Sequence, residues 1–327
     1  MAKTYLSLVT FAVIYLAVYL SGSIILLLRF LAGSSSKLLT SSLAKTLVSV
    51  AMVQGYSLPF VFIGMAALFY LLSVRRWRAI PFFRRPPLEN RKVVVTLTAY
   101  NEAPAIREAV TEFAAQPSVT ETIVVDNGSK DGTGAEALAA GATVVREPVN
   151  TGYGGACIRC LREGLKSDAG VVMLSEGDMT FSGADVSKFV TYLDDADMVI
   201  GTRTTKELLC PDTQMDTFMT WGNLFLAKLL QVKFFDFKHF GRVRFTDVGC
   251  TMRAIGRNSL MRIIDQLEVT GDSFSPHMLM VAMSNGLKIV EIPISFRPRV
   301  GASKGASSNK WKAIRVGLRM LWEIIIF

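Results

Sequence analysis

Two long runs without a charged residue constrain the N-terminal part of this chain more than any other feature. The first lies between Lys3 and Arg29 and the second between Lys45 and Arg75, so the runs contain 25 and 29 residues. A helix needs roughly 20 apolar residues to cross a bilayer. A cleaved secretory signal is the alternative for the first run, but the apolar part of such a signal is usually only about 7 to 15 residues long. The sequence therefore predicts a hairpin of two transmembrane helices.

The net charge of +9 is concentrated in the same region. Residues 1–90 contain nine Lys and Arg and one acidic residue, whereas the remaining 237 contain 27 basic and 26 acidic residues. This distribution argues against a general nucleic-acid-binding surface. Five Arg lie at 75–85, directly after the second run, and only three basic residues lie between the runs. The positive-inside rule then predicts an integral membrane protein with both termini and the following domain on the cytoplasmic side.

The chain after the hairpin alternates short β-branched runs with amphipathic stretches. The predicted strands are Val93 to Thr98, Thr122 to Asp126, Thr143 to Arg146, Val171 to Ser175 and Met198 to Thr202. Such alternation is typical of an α/β domain whose parallel strands are covered by helices on both faces. Ligands of these sheets bind beyond the carboxyl ends of the strands. The residues that directly follow each strand are therefore candidate site residues.

Those residues are unusually polar. The first, second and fourth strands lead into Ala99-Tyr100-Asn101-Glu102, Asp126-Asn127-Gly128-Ser129 and Glu176-Gly177-Asp178. Taken singly, each stretch is typical of a β-to-α turn with a helix cap. Acidic residues at three strand ends on one rim repel each other, and a divalent cation is the usual remedy.

Two further motifs are weaker. The stretch Asn150-Thr151-Gly152-Tyr153-Gly154-Gly155 lacks the spacing of a dinucleotide fingerprint, although the helix start after it is open to an anion. The pair Cys157-x-x-Cys160 lacks the second pair of ligands that a structural zinc site needs, so buried thiols are the favoured interpretation.

The ordered set of motifs resembles glycosyltransferase family 2, with its GT-A fold, and within it the dolichyl-phosphate mannose synthase-like branch. The resemblance covers about Val93 to Lys304. The matching stretches are Thr98 to Glu102, Val125 to Ser129 with Asp131-Gly132-Thr133, Asn150 to Gly154, Glu176-Gly177-Asp178, Gly201-Thr202-Arg203, Asp247 to Arg253, and Glu291-Ile292-Pro293 leading to Arg299-Val300-Gly301-Ala302-Ser303-Lys304.

The resemblance implies a role for each site residue. The nucleotide-binding residues would be Thr98, Tyr100, Glu102, Asp126, Asn127, Gly154 and Glu176; the catalytic residues Asp178, Asp247 and Arg203; and the acceptor-phosphate residues Arg297, Arg299, Lys304 and His277. Asp178 and Glu176 would hold magnesium or manganese, since a bound cation neutralises the charge that grows on a pyrophosphate leaving group. A phosphate acceptor is itself an anionic nucleophile, so positioning and charge neutralisation suffice without a strong general base.

Three positions depart from the family pattern. Glu176 replaces the usual first Asp of the metal motif, Asn127 replaces a common second Asp, and His277 stands where related enzymes commonly carry Glu. For Glu176, contact with the ribose or with metal-bound water is an alternative to direct ligation. For His277, packing in a neutral network is the alternative to sensing the acceptor phosphate.

The C-terminal stretch has an amphipathic pattern. On a helical wheel Trp311, Ile314, Leu318, Leu321, Trp322 and Ile325 share one arc, with Lys312, Arg315 and Arg319 on the next. This pattern predicts a helix in the membrane interface, and a helix packed on the domain is the alternative.

The expected fold class is thus α/β: a GT-A, Rossmann-like mixed-sheet domain between a two-helix hairpin and an interfacial helix. The predicted parts are a transmembrane hairpin at 1–78 with spans at about 5–28 and 50–74, a basic and Pro-rich linker at 79–91, the GT-A domain at 92–305 and the interface helix at 306–327. The favoured function is metal-dependent transfer of a hexose from a UDP- or GDP-sugar to a dolichyl or undecaprenyl phosphate. The alternatives are transfer to a soluble phosphorylated acceptor or another glycolipid, and a catalytically silent membrane adaptor.

Overall fold

The computed structural model of this chain describes residues 88–235, 244–301 and 309–327. The predicted transmembrane hairpin and most of the predicted linker at 79–91 lie outside these described residues. Within the three described ranges, no helix is both long and apolar enough to cross a bilayer.

The described residues form a seven-stranded mixed sheet in the order β3-β2-β1-β4-β6-β5-β7. Its strands are β1 (Val93–Ala99), β2 (Val119–Asp126), β3 (Thr143–Arg146), β4 (Val171–Glu176), β5 (Met198–Thr202), β6 (Arg253–Gly256) and β7 (Ile289–Pro293). Strand β6 runs antiparallel to both of its neighbours, and all other pairs are parallel. The five strands predicted from the sequence are confirmed to within a few residues at their ends.

Helices follow most strands. They are α1 (Ala103–Ala114), α2 (Thr133–Ala139), α3 (Tyr153–Gly164), α4 (Val186–Tyr192), α5 (Thr217–Lys233), α6 (Arg257–Met261), α7 (Phe274–Ser284) and α8 (Lys310–Ile326). Two of them begin with side-chain caps, because Asp216 accepts a hydrogen bond from the N–H of Met219 (2.8 Å) and Asn309 accepts one from Trp311 (2.9 Å).

The sheet is buried on both faces. Val94 and Val172 contribute to one apolar cluster, with residues of α3, α5 and α7, while Val95 and Met173 contribute to a second cluster, with residues of α1 and α4. Successive strand side chains point to opposite faces, so continuous apolar strands supply both cores. The carboxyl ends of β1, β2, β4 and β5 therefore meet at one rim, where polar side chains are free to line a cavity.

Candidate active site

A cavity of about 610 Å³ lies at this rim. Its polar wall comes from residues at or after the strand ends, and its apolar wall comes from helices α5 and α8. The predicted site residues in its lining are Thr98, Tyr100, Glu102, Asn127, Glu176, Asp178, Arg203 and Arg299. The structure therefore brings together residues that lie up to 201 positions apart in the sequence.

The turn after β1 is fixed by the turn after β2. Asn101 adopts a left-handed conformation with φ of 54°. Its N–H donates to Ser129 Oγ (2.9 Å), and its Oδ1 accepts from the N–H of Lys130 (2.8 Å). The N–H of Glu102 donates to Thr133 Oγ1 (2.8 Å). These bonds hold Glu102, which is only 4% exposed, at the wall of the cavity.

The side chain of Asp126 points into the loop that follows β2. Its Oδ1 accepts from the N–H of Ser129 (3.0 Å), and Arg146 Nε lies 3.7 Å from Oδ2. A Cβ atom on Gly134 would stand 2.9 Å from Oδ2, so a larger residue there would force the carboxylate or the helix start to shift. Asp126 is buried and is absent from the lining of the cavity. In the structure Asp126 thus stabilises the loop after β2. Its predicted contact with nucleotide stays a prediction.

Asn127 joins the second strand end to the glycine-rich stretch. Its Oδ1 accepts from the N–H (3.0 Å) and Oγ1 (2.9 Å) of Thr151, and its Nδ2 donates to the carbonyl of Gly152 (3.1 Å). Gly154, in the first turn of α3, does not line the cavity, and a Cβ there would meet the carbonyl oxygen of Val269 at 2.3 Å. The tight packing of backbone against backbone explains this glycine without a ligand.

Two carboxylates stand at the end of β4. Asp178 is 2% exposed, and its Oδ1 accepts from Thr180 N (3.1 Å) and Thr180 Oγ1 (2.6 Å). Glu176 accepts a hydrogen bond from Thr251 Oγ1, which is itself 2.6 Å from the Tyr153 hydroxyl. Burial, and then the negative charge of Asp178, raise the pKa of the Glu176 carboxyl to about 8. The two groups are therefore close enough that ionising one disfavours ionising the other.

This pair fits a divalent cation. Carboxylate oxygens are the ligands that magnesium and manganese prefer, and Mg²⁺ is commonly held by one or two carboxylates together with substrate phosphates and water. Within the described ranges, no group of three or more His, Cys, Asp or Glu side chains is arranged to hold a metal. Glu176 and Asp178 would thus supply part of a coordination shell that a phosphorylated substrate completes.

Arg203 is held rigidly at the end of β5. Its Nε and Nη2 donate to Oδ2 (2.7 Å) and Oδ1 (2.9 Å) of Asp247, and its guanidinium lies 5.3 Å from the centroid of the Phe296 ring. Burial opposes the charge of Arg203, but the attraction of Asp247 outweighs it and raises the pKa of the guanidinium above its usual value. Asp247 itself is 0% exposed and absent from the cavity lining. Of the three predicted catalytic residues, Asp178 and Arg203 line the cavity and Asp247 does not.

Glu291 supports this ion pair from the edge strand β7. Its carboxylate accepts from the N–H groups of Thr246 and Asp247, each at 2.9 Å, and from Thr246 Oγ1 (2.9 Å). Burial raises the pKa of Glu291 to about 7 although these hydrogen bonds act in the opposite direction. No role was predicted for Glu291, although it lies in a stretch that carries the family resemblance.

The predicted acceptor-phosphate residues are separated. Arg299 faces the cavity, where its guanidinium contacts Glu102 and Asp178. Arg297 points elsewhere, because both of its Nη atoms donate to Glu112 of helix α1 (2.7 and 2.9 Å). Arg297 is not among the residues that line the cavity. Lys304 lies outside the described residues.

His277 lies at the contact between helices α7 and α8. Its Nδ1 is 2.9 Å from Glu323 Oε1, and its Nε2 is 3.3 Å from the carbonyl oxygen of Gln266. The His277 and Phe327 rings are nearly perpendicular, with their centroids 5.8 Å apart. His277 is absent from the cavity lining. This geometry corresponds to the packing alternative for His277, because its polar atoms have partners within the domain.

The apolar wall was not foreseen as part of the site. Helix α5 contributes Phe218, Met219, Phe225 and Leu226, and helix α8 contributes Ile314, Leu318 and Leu321. The outer surfaces of both helices carry aromatic side chains, since Trp221 is 66% and Trp311 78% exposed. The amphipathic pattern could have revealed α8, whereas α5 is too evenly apolar to show which face meets the cavity.

The two neighbouring cysteines are buried in the core. Cys157 and Cys160 are each 0% exposed and unpaired. Burial raises the pKa of both thiols well above the usual value. This placement agrees with the interpretation of the pair as small apolar core residues.

Comparisons with known proteins now define the class. The model of the family "Glycosyl transferase family 2" matches residues 94–263, just over half of the chain. The chain belongs to glycosyltransferase family 2, and it is a glycosyltransferase, as the ordered motifs predict. The silent-adaptor alternative is thereby not favoured.

Two curated relatives indicate the branch of the family that this chain most resembles. An undecaprenyl-phosphate mannosyltransferase of Micrococcus luteus is 27% identical over 247 residues, which are 71% of this chain and 96% of that protein. A dolichyl-phosphate hexose transferase of Haloferax volcanii is 30% identical over 213 residues, which are 65% of this chain and 86% of that protein. Both are named for polyprenyl-phosphate acceptors, the branch that the motifs predicted.

A solved structure shares the fold. The glucosyl-3-phosphoglycerate synthase of Mycobacterium tuberculosis, in complex with Mn²⁺, UDP and phosphoglyceric acid, superposes with a TM-score of 0.54 at 19% identity. The match covers 76% of this chain and 86% of that one. The predicted GT-A type of mixed-sheet fold is confirmed by this likeness.

Proposed function

We propose that this protein transfers a hexose from a nucleoside-diphosphate sugar to a polyprenyl phosphate at the cytoplasmic surface of a membrane, with magnesium or manganese as cofactor. One observation carries the proposal: a single cavity joins buried carboxylates at the strand ends to an apolar wall formed by two helices whose outer surfaces expose tryptophan. A water-soluble donor suits the first part, and a lipid acceptor suits the second.

The donor end has the chemistry that diphosphate cleavage needs. Glu176 and Asp178 would hold the cation, which when bound neutralises the negative charge that develops on the leaving diphosphate. Glu102, Asn127 and Tyr100 line the same cavity and offer hydrogen-bonding groups to a nucleoside. The solved relative, whose complex contains Mn²⁺ and UDP, supports this assignment for the donor.

The acceptor end combines fixed positive charge with apolar surface. Arg203 is held in one orientation by Asp247, so it can orient an anionic group without loss of side-chain freedom at the moment of binding. The phosphate of a polyprenyl phosphate would lie near Arg203, and its first isoprene units would pack on Leu318 and Phe225. The names of the two curated relatives support a lipid phosphate as acceptor.

The proposed membrane location rests on both ends of the chain. The two uncharged runs before residue 75 would anchor the protein, and the basic cluster after them would keep the domain cytoplasmic. Helix α8 exposes Trp311 and Trp322 beside Lys312, Arg315 and Arg319, which suits the headgroup region of a bilayer. A soluble phosphorylated acceptor would leave the apolar wall without a role.

The acceptor is tested with full-length protein in nanodiscs, Mn²⁺ and radiolabelled UDP- and GDP-hexoses. We expect label in undecaprenyl phosphate and none in 3-phosphoglycerate, and we expect EDTA to abolish transfer. Leu318→Ser should raise the KM for the lipid about tenfold, since it removes most of an apolar side chain that the bound lipid would cover. Leu138→Ser on helix α2, with similar exposure but outside the cavity, is the matched control. Transfer to soluble acceptors alone, or full activity in EDTA, would refute the proposal.

A further inference from the structure

The guanidinium of Arg299 bridges carboxylates from two different strand ends. Its Nη1 lies 2.8 Å from Asp178 Oδ2, after β4, and its Nη2 donates to Glu102 Oε1, after β1. The side chain of Arg299 is only 13% exposed, and those of Glu102 and Asp178 are 6% and 3% exposed. Buried charges are stable only when paired, so both carboxylates depend on the guanidinium, and the guanidinium depends on the carboxylates.

Both carboxylate oxygens of Asp178 are engaged in this arrangement. Oδ1 accepts from the N–H and hydroxyl of Thr180, two residues along the chain, while Oδ2 faces Arg299. The contact with Thr180 belongs to a local turn, whereas the contact with Arg299 joins segments 121 residues apart. A cation that binds Asp178 must therefore compete with Arg299 for Oδ2.

The backbone keeps Arg299 at this place. The N–H of Val300 donates to the carbonyl of Asp178 (3.2 Å), and the N–H of Arg297 donates to that of Thr180 (2.9 Å). The Arg299 side chain also has a free hydrogen-bond donor, because its buried Nε–H has no acceptor among the described residues. A guanidinium that is displaced from the carboxylates thus remains at the cavity, where its N–H groups can donate to a bound ligand.

We propose that Arg299 is a resident counter-ion of the metal site, which a divalent cation displaces only when an anionic phosphate group enters to receive the guanidinium. This inference rests on the proposed function and adds an order to it: metal and phosphorylated substrate bind together, and metal alone binds poorly. The physical reason is charge balance. A metal ion arriving alone would take Asp178 from the buried arginine and leave that arginine with Glu102 alone, beside a second positive charge, whereas a phosphate offers it a charge-assisted, two-point contact.

The test is a titration of Mn²⁺ into full-length protein in nanodiscs. The electron paramagnetic resonance signal of free Mn²⁺ gives the amount that is not bound, and hence the affinity. An adjacent arginine changes the proton affinity of a carboxylate about tenfold to a thousandfold. Arg299→Gln should therefore bind Mn²⁺ alone about tenfold or more tightly than the wild type. Arg299→Lys keeps a cation at this position and should stay near the wild type.

Arg297→Gln is the matched control. Arg297 is also an arginine paired with a glutamate, but its partner is Glu112 outside the cavity, so its removal should leave Mn²⁺ affinity unchanged. The second measurement is thermal unfolding, where Mn²⁺ without nucleotide should raise the melting temperature of Arg299→Gln more than that of the wild type. Adding UDP or GDP should tighten Mn²⁺ binding in the wild type more than in Arg299→Gln.

An Arg299→Gln protein that binds Mn²⁺ no more tightly than the wild type would overturn the inference, as would equal tightening in Arg297→Gln. The proposed function fails separately, through the absence of transfer to polyprenyl phosphate by the wild type. A wild type that transfers hexose to lipid while Arg299→Gln gains no metal affinity would thus refute the counter-ion alone.

Discussion

The carboxylate of Asp247 and the guanidinium of Arg203 form a two-point ion pair, with Nε–Oδ2 and Nη2–Oδ1 distances of 2.7 and 2.9 Å. Asp247 has no exposed surface, whereas Arg203 lines the cavity. Under the proposed function, Asp247 would therefore influence a substrate only through Arg203, as a positioning residue.

Asp247→Asn should weaken both stability and turnover. Removing one partner of a buried ion pair leaves the other charge unpaired, so we expect the free energy of unfolding to fall by about 3 kcal/mol. Denaturant unfolding of Asp247→Asn, Arg203→Met and the double variant measures the coupling. The double variant should lose less stability than the sum of the single losses. Strict additivity would show that the pair does not act as a unit.

Asp178→Asn should abolish most of the activity while the fold is retained. The substitution keeps the volume of the side chain and one acceptor for Thr180, but it removes the negative charge that a cation needs. We expect turnover to fall about 100-fold or more, since groups that stabilise developing charge commonly contribute that much. Asp265→Asn, on the surface after helix α6, is the control. Wild-type turnover in Asp178→Asn with saturating Mn²⁺ would contradict the assignment of Asp178 as a ligand.

Stability of the metal-free protein should fall as the pH rises from 5 to 8. Burial raises the pKa of Glu291 to about 7, while an unfolded glutamate titrates near about 4.3. The folded state then binds more protons between these values, so this contribution is present at low pH and lost through pH 7. Glu176, whose pKa is raised to about 8 by burial and by Asp178, acts in the same direction.

Glu291→Gln separates the two groups. Melting temperature measured against pH should decline less steeply below pH 7 in this variant, and the decline between pH 7 and 8 should remain because Glu176 is intact. The quantity to compare is the slope of melting temperature against pH, because the amide of Gln also lowers the absolute stability. It offers one oxygen acceptor, whereas the Glu291 carboxylate offers two to the N–H groups of residues 246 and 247. An unchanged slope would contradict a titrating Glu291.

His277→Ala should loosen helix α8 and leave donor binding intact. His277 contacts Glu323 of that helix at 2.9 Å, so its loss removes a buried polar contact between α7 and α8. Hydrogen exchange of residues 310–326 should accelerate, with UDP and GDP affinities unchanged. Glu323→Ala should reproduce the effect. A higher KM for the lipid without faster exchange would instead favour a direct contact of His277 with the acceptor phosphate.

The tryptophans of helices α5 and α8 should contact lipid. The chain has four tryptophans, so variants that retain only Trp221, Trp311 or Trp322 are made by replacing the others with Phe. In proteoliposomes we expect brominated lipids to quench each of the three. A single Trp placed at Leu138, an exposed site on α2, should not be quenched. Equal quenching at Leu138 would show that the effect is not specific to the proposed membrane face.

The strands and the acidic residues at their ends could be predicted from sequence for local reasons. Continuous apolar runs such as Val171 to Ser175 bury both faces of a strand, and the carboxyl ends of parallel strands share one rim. Strand β6 was missed because four residues, Arg253–Gly256, carry too little periodicity. Its first residue is a buried arginine, which no hydropathy pattern assigns to a strand.

The direction of each side chain could not be predicted. Arg297 and Arg299 are both arginines at alternate positions of one segment, yet Arg297 binds Glu112 on helix α1 and Arg299 enters the cavity. His277 likewise pairs with a glutamate 46 residues away. These outcomes depend on which distant carboxylate lies within reach, and that is a property of the packed domain.

The sequence by itself determined the class of fold and the placement of acidic residues at strand ends, because both follow from periodicity along a short stretch of chain. The tertiary structure alone decided that Asp126 and Asp247 are enclosed, that Glu291 supports Arg203, and that α5 and α8 form an apolar wall beside the carboxylates. Long-range contacts and burial set those features, and the charge of a buried group is stable only where the folded chain brings it a partner.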